Sequence, residues 1–464
     1  MLASIERRRV TTLRQGAGAV GAPATPTVLS PPVAGPCRCS EELAAELGRD
    51  LEELGARRGL AVVGFASAEP FDATRADLVR RRDQGLHGGM AFTYRNPDRS
   101  TDPQRILAGA RTLVVGALAY RAPADPPQRA GSPGRDGVPT RAATVSEPGP
   151  RGRVARYVWS DAYARLRTVL GDLATTLGAA GWRARVVCDD NALVDREAAW
   201  RAGLGWYGKS SLLLHGDLGS WFVIGSVVTD APLPVNRRAL PDGCGPCARC
   251  APACPTGAIV EPGVVDARRC LAWLLQAPGS FPREHRVALG DRIYGCDACQ
   301  EVCPVNKRTA RRAAAGGAKV TGPATPATPA TPADTEGSAS KRVSPEWGVD
   351  AEMRDVDLLW MLGASDPDLM ARLGRWYVPG RQARYLRRNA LIALGNAGDG
   401  ADDRTIAVLR RCLDDADPLI RGHAVWAAAR LDRRDLVEER AESDSDPAVQ
   451  EEMAAVLGGE VATR

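Results

Sequence analysis

Histidine is scarce in this 464-residue chain: His87, His215, His285 and His423 are the only four, and no two stand at metal-ligand spacing. That scarcity argues against a histidine zinc site and against a Ser-His-Asp hydrolase. Long apolar runs are missing too. No stretch approaches the roughly 18–20 residues that cross a bilayer as a helix, so the sequence reads as soluble, with no membrane partner. A charge imbalance is also lacking: 61 Lys and Arg stand against 56 Asp and Glu, a formal +5. So small an excess neither demands nor excludes a polyanionic partner, and any basic patch has to be local. Hydrophobic content of 44% and charged content of 25% are ordinary for a globular protein.

Residues 1–36 are rich in Gly, Ala and Pro without any period, and are expected to be a disordered extension or the product of a start codon placed too early. Arg7, Arg8 and Arg9 before Val10 have the look of a twin-arginine export signal. Arg14 and Gln15 interrupt it, and Pro23, Pro26, Pro31 and Pro32 break the apolar helix that such a signal needs. A cytoplasmic protein is expected.

From Ser40, a plausible N-cap, apolar residues recur at helical spacing through Leu54. Leu60–Phe65 and Thr112–Tyr120 read as buried strands, Asp161–Gly178 as an amphipathic helix, Trp182–Val187 as a strand, Val194–Ala202 as a helix and Trp221–Val228 as a strand. Residues 121–152, crowded with Pro, Gly and Arg, read as a loop. The alternation predicts a mixed α/β domain over 37–232. A cysteine-rich domain occupies 233–308. A linker over 309–345 contains the run Pro323-Ala-Thr-Pro-Ala-Thr-Pro-Ala-Thr-Pro332, which cannot build a core. From 346 to 464 strands disappear. Arg388–Gly395, Ile420–Leu431 and Ala448–Leu457 look like versions of one helix, two of them preceded by Asp-Pro at Asp417-Pro418 and Asp446-Pro447. A helical unit recurring about every 30 residues predicts HEAT-like repeats.

Eight of the twelve cysteines fall between Cys244 and Cys303. In a chain this long such crowding indicates metal chemistry in a reducing compartment rather than disulfides. Cys244-x2-Cys247-x2-Cys250-x3-Cys254-Pro255 is the bacterial ferredoxin run, whose fourth cysteine reaches the other cluster. Cys296-x2-Cys299-x3-Cys303-Pro304 is one cysteine short, and Cys270 is the natural replacement. Two [4Fe–4S] clusters are therefore expected, one on Cys244, Cys247, Cys250 and Cys303, the other on Cys254, Cys270, Cys296 and Cys299. Zinc is the rival metal, but the third closely spaced cysteine and the Cys-Pro endings fit iron–sulfur better. Cys37, Cys39, Cys188 and Cys412 fall outside the pattern and read as ordinary thiols.

Several strings together resemble the epoxyqueuosine reductase family: Gly85-Leu-His-Gly-Gly-Met90, Asp189 followed by Asp195-Arg196, Ala202-Gly-Leu-Gly-Trp-Tyr-Gly-Lys209, Gly219-Ser-Trp221, Tyr294-Gly-Cys-Asp-Ala-Cys-Gln300 and Leu386-Arg-Arg-Asn-Ala-Leu-Ile-Ala-Leu-Gly-Asn396. The likeness covers about 41–308 and 350–455, in the family's order. It implies a multidomain fold: a mixed α/β cobalamin-binding domain, a bacterial-type two-cluster ferredoxin domain and a C-terminal all-α HEAT-like domain. It further implies reduction of epoxyqueuosine to queuosine at the wobble position of tRNA, with base-off cobalamin, two [4Fe–4S] clusters and a low-potential electron donor, in a monomer. Asp189 falls on the family's proton-donating aspartate. Arg99, Leu213, Ile224, Ala272, Cys296 and Asp297 align with segments that line the corrin. No Asp-x-His-x-x-Gly string is present to supply a lower axial histidine, which suits the base-off form. The chain departs from the family at Ala162 and Ala164 beside Tyr163, and at Leu275-Gln276-Ala277.

In the tail, Arg372, Arg375, Arg381, Arg384, Arg387 and Arg388 crowd together with Trp376, Tyr377 and Tyr385. Guanidinium forks suit phosphates and aromatic rings suit unpaired bases, so Arg381, Arg384, Arg387 and Arg388 are expected to meet tRNA. The alternative is a solvated helix face. At the level of the whole chain the alternatives are a corrinoid reductive dehalogenase-like oxidoreductase and a non-catalytic iron–sulfur electron carrier.

Overall fold

In the front part of the chain, strand residues alternate between two apolar faces, so the sheet they form must be covered on both sides. The computed structural model describes residues 41–120, 149–235, 239–314, 353–440 and 444–459. The extension 1–36, Cys37, Cys39, the Ser40 cap, most of 121–152, and the Pro-Ala-Thr run lie outside the described residues. Strands Val62–Ser67, Thr112–Ala119, Phe222–Thr229 and Ala184–Val187 pair antiparallel in that spatial order. One face of the sheet, with Val114, Leu118, Val223 and Val227, packs on Leu51 of the helix Glu41–Arg57 and on Leu166, Leu170, Leu173 and Leu177 of the helix Ala162–Ala179. The other face, with Leu113, Val115, Phe222 and Val228, packs on Ala198 and Ala199 of the helix Asp195–Arg201. Burying each leucine contributes about 1.5–3 kcal/mol. Gly116 and Gly225 lie opposite each other in the sheet. A Cβ at Gly225 would come within 2.6 Å of Leu170 Cδ1, so this close helix approach requires glycine.

A second sheet joins three distant parts of the sequence. Arg151–Val154 pairs in parallel with Arg292–Tyr294 and antiparallel with Asp355–Asp357. Two expectations change here. The segment 121–152 ends in a strand, and the tail is not purely helical. Strands of three or four residues carry too little alternation to be recognised, and each forms only because a remote partner supplies its hydrogen bonds.

This sheet also merges the cysteine segment with the tail. Leu271, Leu274, Phe281, Leu289, Ile293 and Tyr294 share one apolar core with the tail helices. Those helices include Arg384–Ala397, Pro418–Arg430 and Pro447–Leu457. Asp417 caps the second, accepting the Leu419 N–H, and Asp446 caps the third, accepting the N–H groups of Ala448 and Val449. Among the described residues no helix is long and apolar enough to cross a membrane.

Candidate functional site

The cysteine segment is held mainly by tight turns. The backbone N–H of Cys247 donates to Cys244 O, that of Cys254 to Ala251 O and that of Cys270 to Ala267 O. None of the ten described cysteines is in a disulfide. The turns bring the thiols together in two sets. Cys250 lies within electrostatic reach of Cys244, Cys303 and Cys247, and Cys299 within reach of Cys296, Cys270 and Cys254. Each run thus lends its last cysteine to the other's set. Among the described residues no three His, Cys, Asp or Glu side chains close on a point as they would around a single ion. What the chain offers is two open sets of thiols.

The surroundings of Cys254 suit a thiolate. Burial alone would raise its pKa, but N–H groups of Thr256, Ala258 and Ile259 and the Thr256 hydroxyl outweigh it and hold the thiol below its ordinary value. The Ala258 N–H is 3.2 Å from the sulfur. Such bonds also tune an iron–sulfur cluster. Burial raises the Cys270, Cys296 and Cys299 thiols. A metal reverses that effect, because it deprotonates the sulfur it binds.

Asp189 lies just past the end of the strand Ala184–Val187, where the chain turns toward the helix Asp195–Arg201. Its φ is +53°, a left-handed conformation that costs a non-glycine residue about 1 kcal/mol or more. The turn is braced on several sides. Asp190 Oδ1 accepts the Ala192 N–H at 2.8 Å. The buried Ser100 hydroxyl donates to Asn191 O at 2.7 Å, and Ser100 O accepts the Val194 N–H at 2.9 Å.

The Asp189 side chain is open to solvent, yet protein crowds it on most sides. That desolvation raises its carboxyl above the usual range, with Arg167 opposing and Asp190 adding to the effect. The combination describes an acid that solvent can reach but that protein partly desolvates. Tyr163 and Cys188 stand beside it, both raised first by burial and then by neighbouring carboxylates. Two electrostatic influences run between this region and the second thiol set. Asp189 acts electrostatically on Tyr294, two residues before Cys296, and Arg196 acts on both Asp195 and Cys270. Sequence reasoning missed Arg167 and assigned Asp195 no role. Arg167 occupies a polar position of an amphipathic helix, where nothing in the pattern sets it apart.

The other candidates are spread around this region. Arg99 is exposed, in a turn capped by Asn96. Leu213 is buried, Ile224 is half-buried against the same core, and Ala272 and Cys296 are half-buried. Asp297 is buried, and its carboxylate accepts the Arg156 N–H at 2.8 Å and the Gln300 Nε2–H at 2.9 Å. Burial pushes it up to about 6. The network continues to Ser220, whose hydroxyl meets Gln300 Oε1 at 2.8 Å and Asn306 Nδ2 at 2.9 Å. The Gly-Ser-Trp and Cys-Asp-Ala-Cys-Gln strings therefore dock the cysteine segment onto the front domain.

Arg388 has to be corrected. It is 0% exposed, so it presents nothing to an RNA. Its guanidinium donates to Leu274 O, Ala277 O and Gly279 O at 3.1, 2.8 and 2.6 Å. Arg384 is paired with Asp417 at 2.7 Å, and Arg387 with Asp366 at 2.5 Å. Trp376 is buried and stacks on Tyr294, ring centres 4.6 Å apart. Arg381 and Tyr377 remain exposed.

Comparison with known proteins adds five findings. Residues 243–306 match the 4Fe-4S double cluster binding domain, and residues 380–459 match HEAT repeats. The chain is 34% identical over 425 residues to a Burkholderia pseudomallei protein called epoxyqueuosine reductase, covering 85% of this chain and 94% of that one. It is similar to a crystal structure of epoxyqueuosine reductase with a tRNA-Tyr epoxyqueuosine-modified stem loop, at 27% identity and a TM-score of 0.71, covering 89% of this chain and 99% of that one. A Bacillus subtilis epoxyqueuosine reductase whose aspartate-bearing catalytic loop is swung out of the active site is 26% identical, with a TM-score of 0.71 and coverage of 89% and 99%.

Proposed function

The chain belongs to the epoxyqueuosine reductase family, and we propose that it reduces epoxyqueuosine to queuosine in tRNA with Asp189 as the proton donor. The carrying observation is the solvent-reachable Asp189 carboxyl, raised by desolvation and held at a left-handed φ, whose charge also acts on Tyr294, two residues before Cys296. Overall the reaction removes the epoxide oxygen as water and leaves a carbon–carbon double bond, consuming two electrons and two protons.

Cys244, Cys247, Cys250 and Cys303 would hold one [4Fe–4S] cluster, and Cys254, Cys270, Cys296 and Cys299 the other. Base-off cobalamin would lie between the front domain and the second set, with Arg99, Leu213, Ile224, Ala272, Cys296 and Asp297 in the segments that line it. The exposed Asp189 and the half-buried Ile224, Ala272 and Cys296 fit that placement. When bound, cobalamin recharged by the clusters supplies low-potential electrons, which originate in an external donor.

Desolvation raises the Asp189 carboxyl above the ordinary carboxylate range, which favours the protonated form that a donor needs. Asp189 gives its proton to the epoxide oxygen as the carbon–oxygen bond opens, which avoids releasing a free alkoxide. Arg167 limits the rise of its pKa, so the acid can still ionise on donation. In the tail, the exposed Arg381 and Tyr377 are the residues suited to phosphate and base.

The test is anaerobic turnover of tRNA containing epoxyqueuosine, with wild type and Asp189→Ala both loaded with cobalamin and reduced chemically. Queuosine formation by wild type, with a variant that binds cobalamin but is nearly inactive, is the expected result. A fully loaded wild type that forms no queuosine would sink the reading.

A further inference from the structure

The string Gly85-Leu-His-Gly-Gly-Met90 takes no part in the proton transfer, yet it is firmly placed. Leu86 O accepts the Ala267 N–H at 2.8 Å, and Gly88 O accepts the indole N–H of Trp273 at 2.7 Å, just beyond Cys270. Further along the same loop, the buried Ser100 hydroxyl lies 3.2 Å from Thr93 O and 2.7 Å from Asn191 O. One loop is thus clipped both to the segment around Cys270 and to the turn that carries Asp189.

The loop walls a recess of about 350 Å³ that opens to solvent, and Arg82, His87, Met90, Tyr94 and Arg95 line it. Ligand clefts run from ~300 to 1,000 Å³, so there is room for a single nucleotide unit. No carboxylate lines the recess. Arg82 has only a loose ion pair with Asp83, at 3.5 Å and largely in solvent. Among the described residues the Arg95 guanidinium has no ion pair or hydrogen bond. The His87 and Tyr94 rings stand 5.6 Å apart, tilted by 43°, and His87 Nδ1 is buried without a hydrogen-bond partner. Two guanidiniums with spare donors beside an aromatic wall suit an anion attached to a flat ring.

We propose that this recess is a nucleotide subsite for the tRNA substrate, in which Arg82 and Arg95 take a backbone phosphate and Tyr94 stacks on the base of a nucleotide flanking the modified one. The proposal rests on the reading of the chain as an epoxyqueuosine reductase, which brings an anticodon loop with unpaired bases to Asp189. A free mononucleotide has the same chemistry. The two clips favour the RNA, because a nucleotide presented to the Asp189 turn has its neighbours one backbone step away.

Fluorescence anisotropy of a labelled anticodon stem loop carrying epoxyqueuosine, with the full-length, cluster-loaded protein, tests the subsite. Arg82→Ala and Arg95→Ala are each expected to flatten the slope of log affinity against log salt by about 0.7–1. Both side chains reach solvent, so the melting midpoint should stay in place. Tyr94→Ala is expected to weaken binding about ten-fold at an unchanged slope, and Tyr94→Phe to restore it. Unchanged affinity and slope in both arginine variants overturn the subsite, and queuosine formation by the wild type then leaves the reductase reading standing. The expected pattern in a wild type that forms no queuosine keeps the subsite and removes the reductase reading. AMP probes the other source: AMP binding that Arg95→Ala abolishes, with stem-loop affinity unmoved, assigns the recess to a free nucleotide and overturns the proposal.

Discussion

Arg388 donates to the carbonyl of Ala277 at 2.8 Å, tying the first long helix of the repeat domain to the loop behind Cys270. The same guanidinium reaches Leu274 O and Gly279 O, while Asn389 Nδ2 donates to Leu275 O and Ile293 O. Leu274 O and Leu275 O end the short helix that follows Cys270, Ala277 O and Gly279 O lie in the loop beyond it, and Ile293 O belongs to the strand Arg292–Tyr294. The adjacent arginine and asparagine thus complete the backbone of the cysteine segment from the neighbouring domain. The tail helps to shape the surroundings of the second thiol set.

Replacing Arg388 with Met is therefore expected to strand several buried carbonyls and cost about 3–5 kcal/mol. Thermal unfolding of the cluster-loaded protein should show a clearly lower midpoint, and iron should be lost sooner on heating. The salt dependence of tRNA binding should not move, because Arg388 is buried. Arg381→Ala should do the opposite, leaving the midpoint in place and flattening the dependence of affinity on salt. A reduced salt slope in Arg388→Met would contradict this assignment.

The two thiol sets predict which cysteine substitutions behave alike. Cys303→Ser should give the same residual spectrum as Cys250→Ser, although Cys303 belongs to the second run. Cys254→Ser should likewise match Cys299→Ser. Each is expected to lose about half of the bound iron. Iron analysis and electron paramagnetic resonance of the four variants, purified anaerobically, would check the pairing. Spectra that group by sequence run would refute it.

As the proposed proton donor, Asp189 would have to be protonated to act, and its pKa lies above the usual carboxyl range. The chemical step should therefore slow as pH rises through that raised value. Arg167 pulls the pKa down, so Arg167→Met should raise it further and shift the alkaline limb to higher pH. Single-turnover rates against pH for the two proteins would show the displacement. An unmoved limb would mean that the limiting proton comes from elsewhere.

Much of this arrangement is legible in the sequence, and what is hidden has identifiable causes. The helix Ala162–Ala179 declares itself through Leu166, Leu170, Leu173 and Leu177 at helical spacing, and the helices after Asp417 and Asp446 through Asp-Pro caps. The helix Asp72–Asp83 gives no such signal, because Leu78 is its only buried residue. Cysteine spacing makes an iron–sulfur module recognisable, and the 4Fe-4S match covers residues 243–306. Arg388 is not legible in the same way. It sits next to the partly exposed Arg387, and composition cannot distinguish a guanidinium that completes a neighbour's backbone from one that faces water. The resemblance points to Asp189, while its left-handed φ appears only in three dimensions.

His423 ties the repeat domain to the cysteine segment in a way that should be sensitive to acid. Its Nε2 accepts the Phe281 N–H at 3.2 Å, so the proton is on Nδ1, which donates to Leu419 O at 2.7 Å. Protonating Nε2 would set one N–H against another. Burial first, and then Arg286 and Arg388, hold its pKa well below the ordinary 6.5. The folded state keeps the ring neutral at a pH where the unfolded chain binds a proton, so stability is lost as pH falls from about 6.5 toward the folded value. Each pH unit between the two values is worth about 1.4 kcal/mol. His423→Gln cannot titrate, so the stability gap between wild type and variant should narrow as pH drops from 7.5 to 5.5. Urea unfolding of both proteins at the two pH values measures that gap, and a constant difference would show that the imidazole does not control this part of the acid response.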